Sequence, residues 1–116
     1  MIMAYEDQSA FDSRDDPARA GDYWASWSGY IAALEHSGVL QSAGGLTAPQ
    51  VATSVRLRDG QRLVQDGPFA ETKEQLGGYF VIDVADLDEA LQWAARCPSA
   101  AYAGVEVRPM LPPPTA

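Results

Sequence analysis

The sequence predicts an α+β domain with a ferredoxin-like β-α-β-β-α-β plait. Three observations predict this fold. Large apolar side chains recur at helical spacing in the first third, an alternating strand ends in an Asp-Gly turn, and a second amphipathic helix lies between two apolar strands. The chain has 116 residues, which suits one domain and is too short for two.

The first strand and helix are predicted in the N-terminal third. Residues 2–5 form a short apolar strand, and Asp15-Asp16-Pro17 are typical of a helix start. Gly38 is placed to end this helix, and Gly44, Gly45 and Pro49 indicate a loop beyond it. Between the helix start and Gly38, large side chains at steps of three and four form one stripe: Tyr23, Trp24, Trp27, Tyr30, Ile31 and Leu34.

The middle of the chain predicts a β-hairpin. Residues 51–58 alternate between two faces, and Asp59-Gly60 fit a type I′ turn, which needs positive φ at both positions. The predicted register places Val55 opposite Val64 and Leu57 opposite Arg62.

The C-terminal half predicts a strand, a helix and a last strand. Residues 66–78 form a long connection, residues 79–84 a strand and residues 104–108 the final strand. Asp86 is the expected N-cap of the helix, with Glu89 in the capping-box position. We expect one helix face to be buried, formed by Leu87, Ala90, Leu91, Ala94 and Cys97.

The strand that contains Tyr79-Phe80-Val81-Ile82 is apolar on both faces. Because two helices cover one side of such a sheet, we expect a second copy to cover the other side, giving a homodimer. The alternative is an inner strand covered by loops or by the proline-rich tail. We place the domain at residues 1–109 and the tail at residues 110–116.

Composition excludes several classes of function. The formal charge is −8, which argues against nucleic acid and against an anionic membrane surface. One cysteine, Cys97, and one histidine, His36, do not form a metal shell, so we expect no metal and no cofactor. The N-terminus has no basic, apolar leader, and we expect a cytoplasmic protein.

These patterns come with a family resemblance. The tetrapeptide Asp66-Gly67-Pro68-Phe69 and its continuation to residue 80 resemble the DGPF branch of the YCII-related family. Residues 53–60, 87–98 and 105–109 continue the resemblance. It implies a dimeric α/β barrel in which two sheets face each other, with a cleft between each sheet and its flanking loops. It also implies that some relatives are enzymes on small halogenated aromatic compounds, and that others accompany extracytoplasmic-type sigma factors.

The enzymatic relatives use a His–Asp pair that this sequence lacks. Aligned on the glycine that ends the first helix, their histidine falls near Trp27 and their aspartate falls at Cys97. A reactive thiol needs a base or a cation nearby, and Arg96 is the only such residue adjacent to Cys97. We therefore interpret Cys97 as a buried, inert thiol. His36 lies off the apolar stripe, near the end of the first helix. The helix dipole by itself favours a protonatable side chain at a helix C-terminus, so this position does not require a catalytic role.

The DGPF segment supplies the candidate site residues. Candidate acid or base groups are Asp66, Glu71 and Glu74, because carboxylates beside a lysine can move protons. The expected ligand-binding residues are Trp27, Asp66, Phe69, Glu71 and Lys73. The alternative is a structural connection in which Asp66 caps its own backbone and Lys73 forms a solvated pair.

Three functions stay open. The first is a small-molecule-binding or regulatory domain with a cleft beside the DGPF loop. The second is a cofactor-independent enzyme that uses carboxylate acid/base chemistry on an aromatic or polar metabolite. The third is an interaction module for a sigma factor, which rests on family association.

Overall fold

The computed structural model describes residues 1–114 and shows the ferredoxin-like α+β plait. Its main sheet is antiparallel, with strand order β2-β5-β1-β6, and helices α2 and α3 pack on the same face as the buried side chains of β1. The strands are β1 (Ile2–Asp7), β2 (Leu40–Gly45), β3 (Thr53–Arg58), β4 (Gln61–Asp66), β5 (Glu74–Ile82) and β6 (Gly104–Val107). The helices are α1 (Gln8–Ser13), α2 (Ala20–Ser37) and α3 (Leu87–Arg96), with short 3-10 turns at Pro49–Val51 and Pro98–Ala101.

The second plait strand is β2, where the sequence predicted a loop. That prediction was wrong because strand β2 consists mainly of small residues with weak strand preference. Pairing with β5 holds it extended: Gly44 lies opposite Tyr79, and Gly45 opposite Gly78. A side chain at Gly44 would place its Cβ 2.6 Å from the ring of Tyr79, so the glycine makes room for that ring.

The predicted hairpin is confirmed, but it lies outside the main sheet. Strands β3 and β4 form a separate two-stranded sheet with the expected register, Val55 opposite Val64 and Leu57 opposite Arg62. Asp59 and Gly60 both have positive φ, 50° and 76°, as the turn requires. The connection after it is shorter than predicted, because β5 already begins at Glu74.

The N-terminal helices differ from the prediction. The short helix α1 was not predicted; its N-cap Asp7 accepts a 2.8 Å hydrogen bond from the Ala10 amide. Helix α2 begins at Ala20, later than Asp15-Asp16-Pro17, because Asp16 instead caps a turn and accepts from the Ala18 amide. Gly38, with φ of 81°, ends α2 as predicted.

Helix α3 begins at the predicted cap, where Asp86 accepts from the Glu89 amide at 2.9 Å. Its buried face is narrower than expected. Ala90, Ala94 and Cys97 are buried, whereas Leu87 and Leu91 are exposed. The helix is rotated so that Trp93 packs against the core, which turns the two leucines outward.

The core lies between the main sheet and the two long helices. The ring of Trp27 stacks on that of Phe80 with centroids 6.0 Å apart, and the Tyr30 hydroxyl donates to the Trp93 carbonyl at 2.8 Å. Trp24, also on the predicted stripe, is exposed. Buried members of the core are Ile2, Ala4, Trp27, Tyr30, Leu34, Phe80 and Cys97.

No helix within residues 1–114 is long and apolar enough to cross a membrane. Thr115 and Ala116, part of the expected tail at 110–116, lie outside the described residues.

Candidate functional site

A buried carboxylate, Glu6, lies on the core side of the main sheet. Strand β1 alternates, so that Ile2, Ala4 and Glu6 all face the helices. Glu6 is 1% exposed, and an ionised group at such depth needs partners that replace its lost water. The carboxylate therefore marks a built polar site inside an otherwise apolar layer.

Three side chains donate hydrogen bonds to Glu6. Arg14 Nη2 lies 2.9 Å from Oε1, and the Tyr23 hydroxyl lies 2.8 Å from both carboxylate oxygens. The Tyr102 hydroxyl donates to Oε2 at 2.7 Å. One cation and two phenols thus offset the burial of the charge, and the four residues form what we call the Glu6 network.

A bulge in β5 makes space for this carboxylate. Ala4 pairs with Gly78 and Tyr5 with Leu76, which leaves Gly77 as the extra residue. A Cβ at Gly77 would lie 2.5 Å from Glu6 Oε1, so any side chain there would collide with the carboxylate.

Arg14, at the C-terminal end of α1, connects several segments to Glu6. Its Nε donates to the Tyr23 hydroxyl at 3.0 Å, and its other nitrogens donate to the carbonyls of Leu46 and Gly77. Burial lowers the pKa of Arg14, but hydrogen bonds from its guanidinium to Tyr23 and Glu6 outweigh burial and raise it above the ordinary value. With four donor contacts inside the chain, the guanidinium has little capacity left for a ligand.

Both phenols of the network are held protonated. Burial, followed by the hydrogen bond to Glu6, raises the pKa of Tyr23 to about 12. The same two causes raise the pKa of Tyr102 further above its ordinary value. At neutral pH both groups therefore remain hydrogen-bond donors to the carboxylate.

A cavity of about 430 Å³ lies beside the network, between α2 and strands β2 and β5. Aromatic and aliphatic side chains form much of its wall, and bare glycine backbone forms another part. Its lining residues are Glu6, Arg14, Tyr23, Trp24, Trp27, Ile31, Ala43, Gly44, Gly45, Leu46, Thr47, Gly77, Gly78 and Phe80. An apolar cavity of this size with a few polar groups is suited to a small organic molecule.

The structure places Trp27 in this cavity wall and the DGPF side chains elsewhere. Asp66 and Glu71 line a different, more polar concavity of about 380 Å³, together with Gln50 and Gln75. The structure thus brings two of the predicted carboxylates together, but it does not bring them to Trp27.

The other predicted residues of this segment lie on the surface. Phe69 is exposed, with the guanidinium of Arg56 4.3 Å above its ring. Lys73 and Glu74 are exposed and line neither of the two concavities. The ligand-binding and catalytic roles given to these residues stay predictions.

Cys97 and His36 lie away from the cavity. Burial raises the pKa of the Cys97 thiol, whose Sγ lies 3.5 Å from the Ser99 hydroxyl, and this confirms a buried cysteine. His36 is exposed in the last turn of α2. Within residues 1–114, no group of three or more His, Cys, Asp or Glu side chains is arranged to hold a metal.

Sequence analysis missed the centre of the site. Glu6 follows Ile2 and Ala4 at the strand period of two, and a carboxylate on the apolar side of a strand was the signal that could have identified it. No local pattern pointed to Arg14 or Tyr102. They are 88 residues apart in sequence, and only the fold brings both of them to Glu6.

Comparison with known proteins identifies a family and a similar protein. A family model described as the YCII-related domain matches residues 1–113. An uncharacterized protein of Rhizobium meliloti (strain 1021) is 37% identical over 114 residues, which cover 94% of this chain and 89% of that protein.

Proposed function

As the chain belongs to the YCII-related family, we propose that it is a small-molecule-binding domain whose ligand occupies the cavity beside the Glu6 network. The observation that carries the proposal is the cavity itself. It combines a volume typical of ligand sites, a wall of Trp27 and Phe80, and a buried polar cluster at its lining.

The lining favours a planar, uncharged ligand. Trp24, Trp27 and Phe80 offer ring surfaces, against which a flat molecule makes the largest contact. Glu6 and Arg14 offset each other's charge at 2.9 Å, so the site gives little net attraction to an ion. Binding then rests on apolar contact, and the polar groups of the Glu6 network limit the orientation of the ligand.

A cavity-filling variant tests this proposal. Gly45 lines the cavity, faces the same side of the sheet as Gly78, and a Cβ built there meets no atom within 4 Å. The Cβ of Gly45→Leu therefore has room, and the leucine side chain should extend from it into the cavity. We expect a planar ligand found by thermal-shift screening to lose at least tenfold in affinity, measured by the fluorescence of the cavity tryptophans.

The matched control is Gly29→Leu, on the exposed surface of α2, where a Cβ also meets nothing within 4 Å. It should bind such a ligand as the wild type does. Equal affinity in Gly45→Leu and the wild type would contradict the proposed site.

The carboxylate enzyme is a second candidate because Asp66 and Glu71 share one concavity. Two carboxylates on a polar surface can divide the roles of acid and base. The same screen separates the two candidates: a ligand that loses affinity in Asp66→Asn and Glu71→Gln, but not in Gly45→Leu, would favour this site. A sigma-factor association and a cytoplasmic location stay predictions from the sequence.

We also propose a homodimer in which the outer faces of two main sheets meet. Met3, Tyr5, Tyr79 and Val81 alternate with core residues along β1 and β5 and therefore project from the side that α2 and α3 leave open. Such an apolar outer face is unusual for a sheet in contact with water. Light scattering tests the proposal, with twice the 12.5 kDa chain mass as the expected result.

A further inference from the structure

The indole nitrogen of Trp27 has no hydrogen-bond partner. Trp27 lies in α2 with 8% of its surface exposed, and its Nε1 is shielded from solvent. Among the buried side-chain nitrogens and oxygens of residues 1–114, this atom is the one left without a hydrogen bond. Native proteins pair nearly all such groups, so an unpaired one requires an explanation.

The neighbouring aromatic rings do not supply this bond. The N–H bond of an indole lies in the plane of the ring, and the ring of Phe80 is nearly parallel to that plane, at an angle of 11°. The rings of Tyr23 and Tyr30 are inclined to the indole, with centroids 6.4 and 6.5 Å from it. A contact between an N–H and the face of a ring is also much weaker than a bond to an oxygen acceptor.

The other tryptophan of the cavity wall, Trp24, is paired. Its Nε1 donates to the carbonyl of Arg14 at 3.2 Å, although Trp24 is half exposed. The exposed indole therefore has a partner in the chain, whereas the buried indole has none. An unpaired donor is costly at the buried position, because water cannot replace its partner there.

The cavity beside Trp27 has room for an acceptor. Trp27 and Phe80 both line this cavity, whose volume is about 430 Å³. The torsion that turns an indole about its Cβ–Cγ bond has a broad energy minimum, so a small rotation can bring the N–H edge toward a molecule in the cavity. Such adjustments of side chains are common when a ligand binds.

We propose that Trp27 Nε1 donates a hydrogen bond to the ligand of this cavity, and that the ligand is a planar carbonyl compound. The inference rests on the proposed function and deepens it, since it names the group by which the ligand is recognised. An indole is a donor only, so the ligand must bring the acceptor. A carbonyl oxygen does so without a net charge, which suits a site where Glu6 and Arg14 offset each other at 2.9 Å.

Two probes with the same carbon skeleton test the proposal. Acetophenone carries a carbonyl group beside its benzene ring, and ethylbenzene lacks it. In a nitrogen–proton correlation NMR spectrum each tryptophan gives one indole N–H signal, and the chain has three tryptophans, Trp24, Trp27 and Trp93. We expect acetophenone to move the Trp27 signal further downfield than ethylbenzene does, because a hydrogen bond deshields the proton.

Trp27→Phe removes the donor and keeps an aromatic ring. The ratio of the two dissociation constants, ethylbenzene over acetophenone, should fall about fivefold in this variant, as expected for the loss of one hydrogen bond. The matched variant is Trp24→Phe, which also removes an indole from the cavity wall, but one whose N–H is already paired. It should weaken the binding of both probes alike and leave the ratio unchanged.

The outcomes separate this hydrogen bond from the cavity site itself. An unchanged ratio in Trp27→Phe, or a Trp27 signal that moves equally with both probes, would overturn the hydrogen bond. The cavity site stands in that case if Gly45→Leu weakens the binding of both probes. Probes that bind Gly45→Leu as tightly as the wild type would overturn the site and the hydrogen bond together.

Two further results bear on the ligand class. No binding of acetophenone to the wild-type chain would overturn a carbonyl compound as the ligand. If far-UV circular dichroism shows that Trp27→Phe is unfolded, the indole signals of the wild-type chain test the hydrogen bond by themselves.

Discussion

The main sheet and the hairpin of β3 and β4 are both antiparallel, but apolar side chains are buried in the main sheet and exposed in the hairpin. The main sheet places Ile2 and Phe80 under two helices and even buries a carboxylate there. The hairpin leaves Val55 and Leu57 exposed on a separate pair of strands. Covering by helices, rather than strand composition, thus separates a buried core from an exposed apolar surface.

The largest effect should appear in the main sheet, on removing its buried charge. Glu6→Ala leaves Arg14 in the core without its counter-ion, which costs about 3–5 kcal/mol. Urea denaturation measures the loss. The matched variant is Glu106→Ala, whose ion pair with Arg108 is exposed, and it should cost below about 1 kcal/mol. Equal losses in the two variants would mean that the Glu6 network is not a distinctive part of the core.

A second prediction concerns the pH dependence of stability. The pKa of Tyr23 is raised from 10.0 to about 12 by burial and by its hydrogen bond to Glu6. Between these values the folded chain keeps a proton that the unfolded chain loses, so stability is fully present below pH 10 and falls as the pH rises toward about 12. Tyr23→Phe should flatten this fall, measured as the urea midpoint at successive pH values. An unchanged slope would show that the phenol is not part of the network in solution.

The smallest expected effect lies in the hairpin. Gly60 has φ of 76°, so Gly60→Ala should cost about 1 kcal/mol through backbone strain. If the hairpin opens independently of the core, hydrogen exchange of the β3 and β4 amides should speed up several-fold while the core amides stay unchanged. Faster exchange across the main sheet as well would show that the two regions unfold as one unit.

Local chemistry made some elements predictable from the sequence. The Asp59-Gly60 turn set the hairpin register, Asp86 set the start of α3, and Gly38 set the end of α2. Each of these signals acts within a few residues, through positive φ or through a side chain that caps a nearby amide. Resemblance across most of the chain supplied the family.

Other elements depended on partners far away in the chain. Strand β2 is extended because β5 pairs with it, and its glycines carry no strand preference of their own. Helix α3 is a second example. Its apolar pattern predicted that Leu87 and Leu91 are buried, but the helix is rotated so that Trp93 packs against the core and both leucines are exposed.

The sequence by itself determined the fold class, the hairpin, the start of α3 and the end of α2, because these follow from periodicity and from short-range backbone chemistry. The tertiary structure decided the site. The Glu6 carboxylate meets Arg14 and Tyr102 only when β1, α1 and the segment before β6 are packed together. The need for glycine at position 77 is visible only in the structure, where a side chain would collide with that carboxylate. A buried polar network is a product of long-range contact, and no local pattern specifies which distant donors will satisfy a carboxylate.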